Sequence, residues 1–206
     1  LLSLPLWKKQ ELPLSGGETV RPQTPQWRKL LKRPGVKAAL TAFFFYSALE
    51  LTTGLWGSSY MVAIRGISPE TAAKWISLFY LGITAGRFFS GFLTLRFSDD
   101  AMVRLGEGTA IVGIILLLLP LHNLFLCVGL ILTGLGCAPI YPSLLHATPQ
   151  RFGKSLSQSL MGTQMAISYL GSTTMPPVSG FLSEKISMGL YPVLLLVFTL
   201  CMRDWD

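Results

Sequence analysis

Six apolar segments, residues 38–64, 75–95, 102–121, 124–145, 159–182 and 186–202, occupy most of the chain beyond residue 37. At ~1.5 Å rise per residue in a helix, each approaches the ~30 Å of a bilayer's hydrocarbon core, the last at the ~17-residue lower limit. A chain entering lipid must satisfy every backbone donor and acceptor internally, which leaves helices or closed barrels. The segments lack the period-two alternation of barrel strands. This predicts an all-α fold, a polytopic membrane bundle of six transmembrane helices over residues 36–206, preceded by a separate region over residues 1–35. Half of the 206 residues are hydrophobic and 13% are charged, against ~25% charged in soluble domains. The predicted solvent is therefore the lipid bilayer.

The formal net charge of +7 invites a nucleic-acid reading. The basic residues lie mostly between apolar segments instead of clustering on one soluble face, so no nucleic-acid partner is predicted. Thirteen Lys and Arg fall on one side of the segments: eight in the leader, Arg96 and Arg104, Arg151 and Lys154, and Arg203. Arg65, Lys74 and Lys185 fall on the other, and Arg87 lies inside the second segment. This bias places both ends of the chain on the cytoplasmic side of the cell (plasma) membrane. Residues 1–7 are too short an apolar run for a secretory signal and lead to no small-residue cleavage site. They read as the end of an earlier transmembrane helix, followed by a linker over 8–24 and a short basic interfacial helix over 26–33. The chain therefore reads as part of a longer protein.

Cys127, Cys137 and Cys201 form no CxxC and no His/Cys cluster, so neither a disulfide framework nor a metal site is predicted. No cofactor is indicated. HExxH, GxSxG and paired carboxylates are absent from the apolar segments, so no catalytic residue is assigned and an intramembrane enzyme is disfavoured. His122 and His146, at the ends of the fourth segment, read as turn and interface residues.

Polarity is distributed in order along the segments. The third runs from Ala110 to Leu121 without a polar side chain and the sixth is apolar from Pro192 to Phe198, while the other four carry the Gly, Pro, Ser, Thr and Tyr. Third and sixth as the peripheral, lipid-facing members predict two three-helix repeats, as in transporters built from inverted repeats.

Glu50 is the one ionisable group in the stretch 38–64. A carboxylate at a helix centre costs ~2.5–3.5 kcal/mol on insertion scales, so it is a functional candidate by default. Residues at i, i+3, i+4 and i+7 share a helix face, which groups Phe43, Tyr46, Ser47, Glu50, Thr53, Gly54, Gly57, Ser58 and Met61. Such a small and polar stripe is either a close helix contact or the wall of a watered cavity. The carboxylate favours the cavity. In the fourth segment Gly129, Thr133, Cys137 and Tyr141 share a face, and Pro139 and Pro142 predict a kink or break. In the fifth, Gln164 and Ser168 share a face, Gln164 being suited either to a solute hydroxyl or to a neighbouring helix. Tyr46, Trp56, Tyr60, Tyr141 and Tyr169 suit a sugar ring, ordinary packing, or an interfacial belt, with Tyr60 ranked below Tyr46 and Tyr141. Arg87 is the second buried charge. Counted from the inner ends at ~1.5 Å per residue, Glu50 lies ~18 Å deep and Arg87 ~12 Å, within reach of each other. Arg87 is thus a gate or packing charge, or the partner of Glu50 in a structural ion pair.

With Glu50 and Gly54-Leu55-Trp56, the stretches Gly86-Arg87-Phe88-Phe89-Ser90-Gly91, Arg96-Phe97-Ser98-Asp99 and Gly134-Leu135-Gly136-Cys137-Ala138-Pro139-Ile140-Tyr141-Pro142 resemble the C-terminal half of a major facilitator superfamily transporter. The branch they are most similar to is the sugar-proton symporters related to fucose permease. The superfamily's loop motif is degenerate at Gly91 to Asp100: Gly91 and Arg96 match, while Leu95 and Ser98 replace its Asp and second Gly. Arg96, like Arg87, is carried as a gate or packing charge.

The resemblance implies half of a twelve-helix fold that works by alternating access against a missing N-terminal six-helix half. The candidate solute- or proton-binding residues are Glu50, Tyr46, Thr53, Trp56, Tyr141, Gln164 and Ser168. The solute is a small organic molecule, a sugar among the candidates, with and without proton coupling both open. A multidrug-type efflux transporter, or a membrane scaffold or solute sensor on a transporter fold, are the alternatives.

Overall fold

The computed structural model describes residues 31 and 33–203; the expected earlier helix, linker and interfacial helix lie outside them except for parts of 31–33. Six α-helices follow in order: α1 (Val36–Arg65), α2 (Pro69–Leu93), α3 (Asp99–Leu118), α4 (Asn123–Phe152), α5 (Lys154–Lys185) and α6 (Tyr191–Met202), with a 3-10 turn at Met188–Leu190 before the last.

Local chemistry sets the ends. Gly66 closes α1 at φ 63°, its N–H returning to the Met61 carbonyl, a left-handed position that glycine occupies without Cβ strain. Ser68 caps α2 by accepting from the Thr71 N–H, with Pro69 in the first helical turn. This cap starts α2 at residue 69, ahead of the apolar run at 75. Ser98 caps α3 in the same way, with Asp99 and Asp100 in its first turn. His122 caps α4, its Nδ1 accepting from the Leu124 N–H at 3.3 Å.

The structure settles one half of the proline expectation, the break, and corrects the reading of the last apolar run. Pro139 and Pro142 do not interrupt α4, which runs on through Pro149 to Phe152. Proline at 139 leaves the carbonyl of Leu135 without its helical donor, and Gly86 of α2 packs close against that carbonyl. The apolar run 186–202 is also not one helix. Its α-helical part, α6, has 12 residues, ~18 Å at helical rise. Four helices, α1 to α4, are long and apolar enough to cross a membrane. Helix α5 has the length at 32 residues, but its Ser, Thr, Gln and paired prolines lower its apolarity.

The packing repeats. Helix α1 lies mainly along α5, as α2 lies along α4, and α6 lies on α1 as α3 lies on α4. These are equivalent contacts in the units α1–α3 and α4–α6. Helices α3 and α6 take the periphery, exposing Leu105, Val112 and Ile115 on one and Val193, Val197 and Leu200 on the other. Close crossings use glycine where two backbones meet: Gly82 and Gly134 bring α2 onto α4, and Gly106 faces Gly136 between α3 and α4.

Candidate functional site: a polar cavity between four helices

The four inner helices leave a cavity of about 270 Å³ among Tyr46, Ser47 and Glu50 of α1, Tyr80 and Arg87 of α2, Tyr141 of α4, and Ser168, Tyr169 and Ser172 of α5. Neither α3 nor α6 contributes to it.

Its centre is charged. Arg87 Nη2 stands 3.8 Å from Glu50 Oε1, with the Arg87 side chain 59% exposed and that of Glu50 28% exposed. The two depths read from sequence thus meet in an ion pair. Beside it, the ring of Tyr141 lies 5.7 Å from that of Tyr46 and 5.4 Å from that of Phe43, the latter edge-on. These rings build an aromatic wall. The Tyr46 hydroxyl is buried beside the Glu50 carboxylate, without a hydrogen bond of good geometry among the described residues. Across the cavity Ser47 and Ser168 share a short hydroxyl–hydroxyl contact that joins α1 to α5.

Of the residues singled out in sequence, Glu50, Tyr46, Tyr141, Ser168 and Arg87 come together here. Thr53 is fully buried and donates to the Leu49 carbonyl, while its own carbonyl accepts from the Tyr191 hydroxyl at 3.2 Å. Trp56 donates from Nε1 to the Pro176 carbonyl at 2.8 Å and faces Gly180, at the far end of α5. Gln164 is fully buried and exchanges hydrogen bonds with Thr148 of α4 at 3.0 and 3.1 Å. These three sit in helix contacts outside the cavity. Arg96 is exposed in the α2–α3 connection and lines neither this cavity nor the larger one that adjoins it.

That second cavity, about 1000 Å³, opens toward the end that carries the α2–α3 and α4–α5 connections, and it shares Arg87 and Tyr141 with the first. At its rim His146 Nδ1 lies 2.8 Å from Asp99 Oδ2, and Arg151 pairs with Asp100 nearby. Sequence reading missed Tyr80, although it lies two turns before Arg87 on the same face of α2. It also missed the Asp99–His146 pair, which no spacing signals because the residues are 47 apart. Glu107 of α3 is a buried acid, 6% exposed, that lines neither cavity. Its setting in Gly106-Glu107-Gly108 was the available signal.

Residues 38–202 match the sequence pattern of the Major Facilitator Superfamily. Among curated proteins, the chain is 25% identical over 187 residues to Bypass of stop codon protein 6 of Saccharomyces cerevisiae, covering 83% of this chain and 36% of that protein. Among solved structures, it is similar to the E. coli fucose:proton symporter FucP, with TM-score 0.71, 18% identity, and coverage of 87% of this chain and 45% of that one. It is also similar to the POT family transporter PepTSo, with TM-score 0.67, 19% identity, and coverage of 82% and 36%. The chain spans less than half the length of each of these relatives.

Proposed function

Because this chain belongs to the Major Facilitator Superfamily, we propose that it forms one six-helix bundle of a transporter, which moves a small polar organic solute by rocking against a second bundle. The observation that carries this reading is the cavity itself. In a multi-pass membrane bundle, four helices from both three-helix units converge on a Glu50–Arg87 pair and a set of tyrosine and serine hydroxyls. Ionisable groups within membrane segments mark solute or ion pathways, and sites in such folds lie where the repeats meet.

The likeness in fold to FucP, a fucose:proton symporter, supports a sugar-like solute and a proton as the coupled ion. Glu50 would carry the proton, Tyr46, Tyr141 and Ser168 would contact the solute, and Arg87 would hold Glu50 in place between cycles. The excess of basic residues beside the α2–α3 and α4–α5 connections supports a cytoplasmic side for them, in what we propose is a plasma-membrane protein.

The test uses the full-length protein that contains this chain, reconstituted in vesicles. Glu50→Gln is expected to insert and fold like the parent while losing proton-driven uptake or its pH dependence. Unchanged uptake at every pH would make Glu50 a structural residue. Cysteines placed at Ser68 and Glu184 should label from outside and one at Arg96 should not; the reverse pattern would overturn the orientation.

A further inference from the structure

The guanidinium at the centre of the cavity is under-used by its partner, and that imbalance bears on the charge of the solute. At 3.8 Å the Arg87–Glu50 contact is a loose ion pair, longer than the ~2.7–2.9 Å of a charge-assisted hydrogen bond. Among the described residues Arg87 has no other polar partner. An arginine fork offers five N–H donors and pairs best with a carboxylate held side-on. Arg87 also lines both cavities, so it is reachable from the larger one and from the smaller.

The surroundings narrow the solute further. The buried Tyr46 hydroxyl has only the Glu50 carboxylate near it and no hydrogen bond of good geometry, and Tyr80 and Tyr141 add hydroxyls around the same space. An apolar solute would leave these groups unpaired, at ~1–3 kcal/mol for each buried one. A dianion such as a sugar phosphate would need a second cation, and Arg87 is the one cation lining the smaller cavity among the described residues. The volume of about 270 Å³ lies at the lower edge of the ~300–1,000 Å³ of small-molecule sites.

We propose that the solute is a small polyhydroxylated monocarboxylate, a sugar acid, whose carboxylate takes Arg87 from Glu50 while its hydroxyls meet the tyrosine and serine oxygens of the cavity. The inference rests on the solute-site reading above and adds the solute's charge to it. One ion pair replaces another. Glu50, released from its counter-charge within the membrane, takes up a proton from bulk water as the solute binds. Solute anion and proton therefore enter together with no net charge. The titratable groups around Glu50 are Tyr46 on its own helix, Arg87 and Tyr80 on α2, Cys137 and Tyr141 on α4, and Tyr169 on α5. Arg87 is the cation among them, so its occupancy governs whether Glu50 holds a proton.

Binding and uptake of radiolabelled D-gluconate and D-glucose by the full-length protein, in detergent and in vesicles, test the proposal. Gluconate should bind about tenfold or more tighter than glucose, and tighter still as the pH is lowered. Arg87→Gln should remove that preference. Glu50→Gln should do the opposite, strengthening gluconate binding near neutral pH and flattening its pH dependence, because the competing carboxylate is gone. Arg87→Lys, which keeps the charge but loses the fork, should retain weakened binding and covers the case in which Arg87→Gln does not fold. Equal affinity for the two solutes, or loss of gluconate binding in Glu50→Gln, overturns the proposal. Glucose uptake without gluconate binding overturns it and leaves the transporter reading standing. Gluconate binding without uptake of any solute does the reverse.

Discussion

Helices α2 and α4 meet in the same relation as α1 and α5, one pair being the repeat of the other, yet the two contacts are closed by different chemistry. Between α2 and α4 backbone lies on backbone: Gly134 sits against the Phe79 carbonyl, Gly82 against that of Ile131, and Gly86 against Leu135 and Ala138. Phe79, Ile83 and Leu130 bury beside them. Between α1 and α5 there is one such approach, Gly171 on the Phe44 carbonyl. The rest is side chain: the Ser47–Ser168 hydroxyls and the indole of Trp56 on the Pro176 carbonyl. A glycine contact excludes everything, whereas a contact held by hydroxyls and rings leaves space with polar walls. The cavity lies on the side of the hydroxyls.

Substitutions on either side of the molecule test whether the two contacts differ in this way. Gly134→Leu should have the largest effect, because its Cβ would collide with the backbone of α2 instead of a movable side chain. Overpacking costs ~1–3 kcal/mol and more where backbone must shift, so loss of monodisperse protein, or a steep drop in thermal stability, is expected. Tolerance of leucine there would show that α2 and α4 do not touch through their backbones. Trp56→Phe keeps an aromatic ring and removes one hydrogen bond, for a cost of ~0.5–1.5 kcal/mol in thermal unfolding. It should leave solute affinity unchanged; weakened binding would place Trp56 at the solute.

Smaller again is Gln164→Leu. Thr148 keeps its bond to the Leu144 carbonyl at 3.0 Å when the amide is removed, and interhelical hydrogen bonds in membranes average ~0.6 kcal/mol. Its solute affinity should match the parent in a binding titration, and a large loss would return Gln164 to the site. Ser168→Ala should cost a similar ~0.6 kcal/mol or less in stability, yet unlike Gln164→Leu it should weaken solute binding. That opposite pairing of effects separates the cavity wall from the helix contact.

The stripe on α1 shows where sequence reading stops. Tyr46, Ser47, Glu50, Thr53 and Gly57 share one face at helical spacing, and nothing in their order divides them. In the structure the first three look into the cavity, while Thr53 and Gly57 meet Tyr191 of α6. Helices that cross at an angle separate along their length, so one face meets a neighbour at one height and open space at another. The spacing of Glu50 and Arg87 from their helix ends placed them at compatible depths, and they do meet. Whether Gln164 faced solute or helix depended on the position of Thr148 across the α4–α5 hairpin, which no local pattern encodes.

Composition and local pattern were enough to establish the membrane setting, the order of the helices, and the split between polar inner and apolar outer members. They also hold the stop and start signals at Gly66, Ser68 and Ser98. All of these follow from chemistry within a segment and from the demand that every backbone group in lipid be satisfied within its own helix. Tertiary packing was needed to decide which parts of each polar face enclose the cavity, which glycines close the α2–α4 crossing, and that Asp99 reaches His146. Those depend on the relative height and angle of helices far apart in the chain, quantities set by contact between elements and written in no single segment.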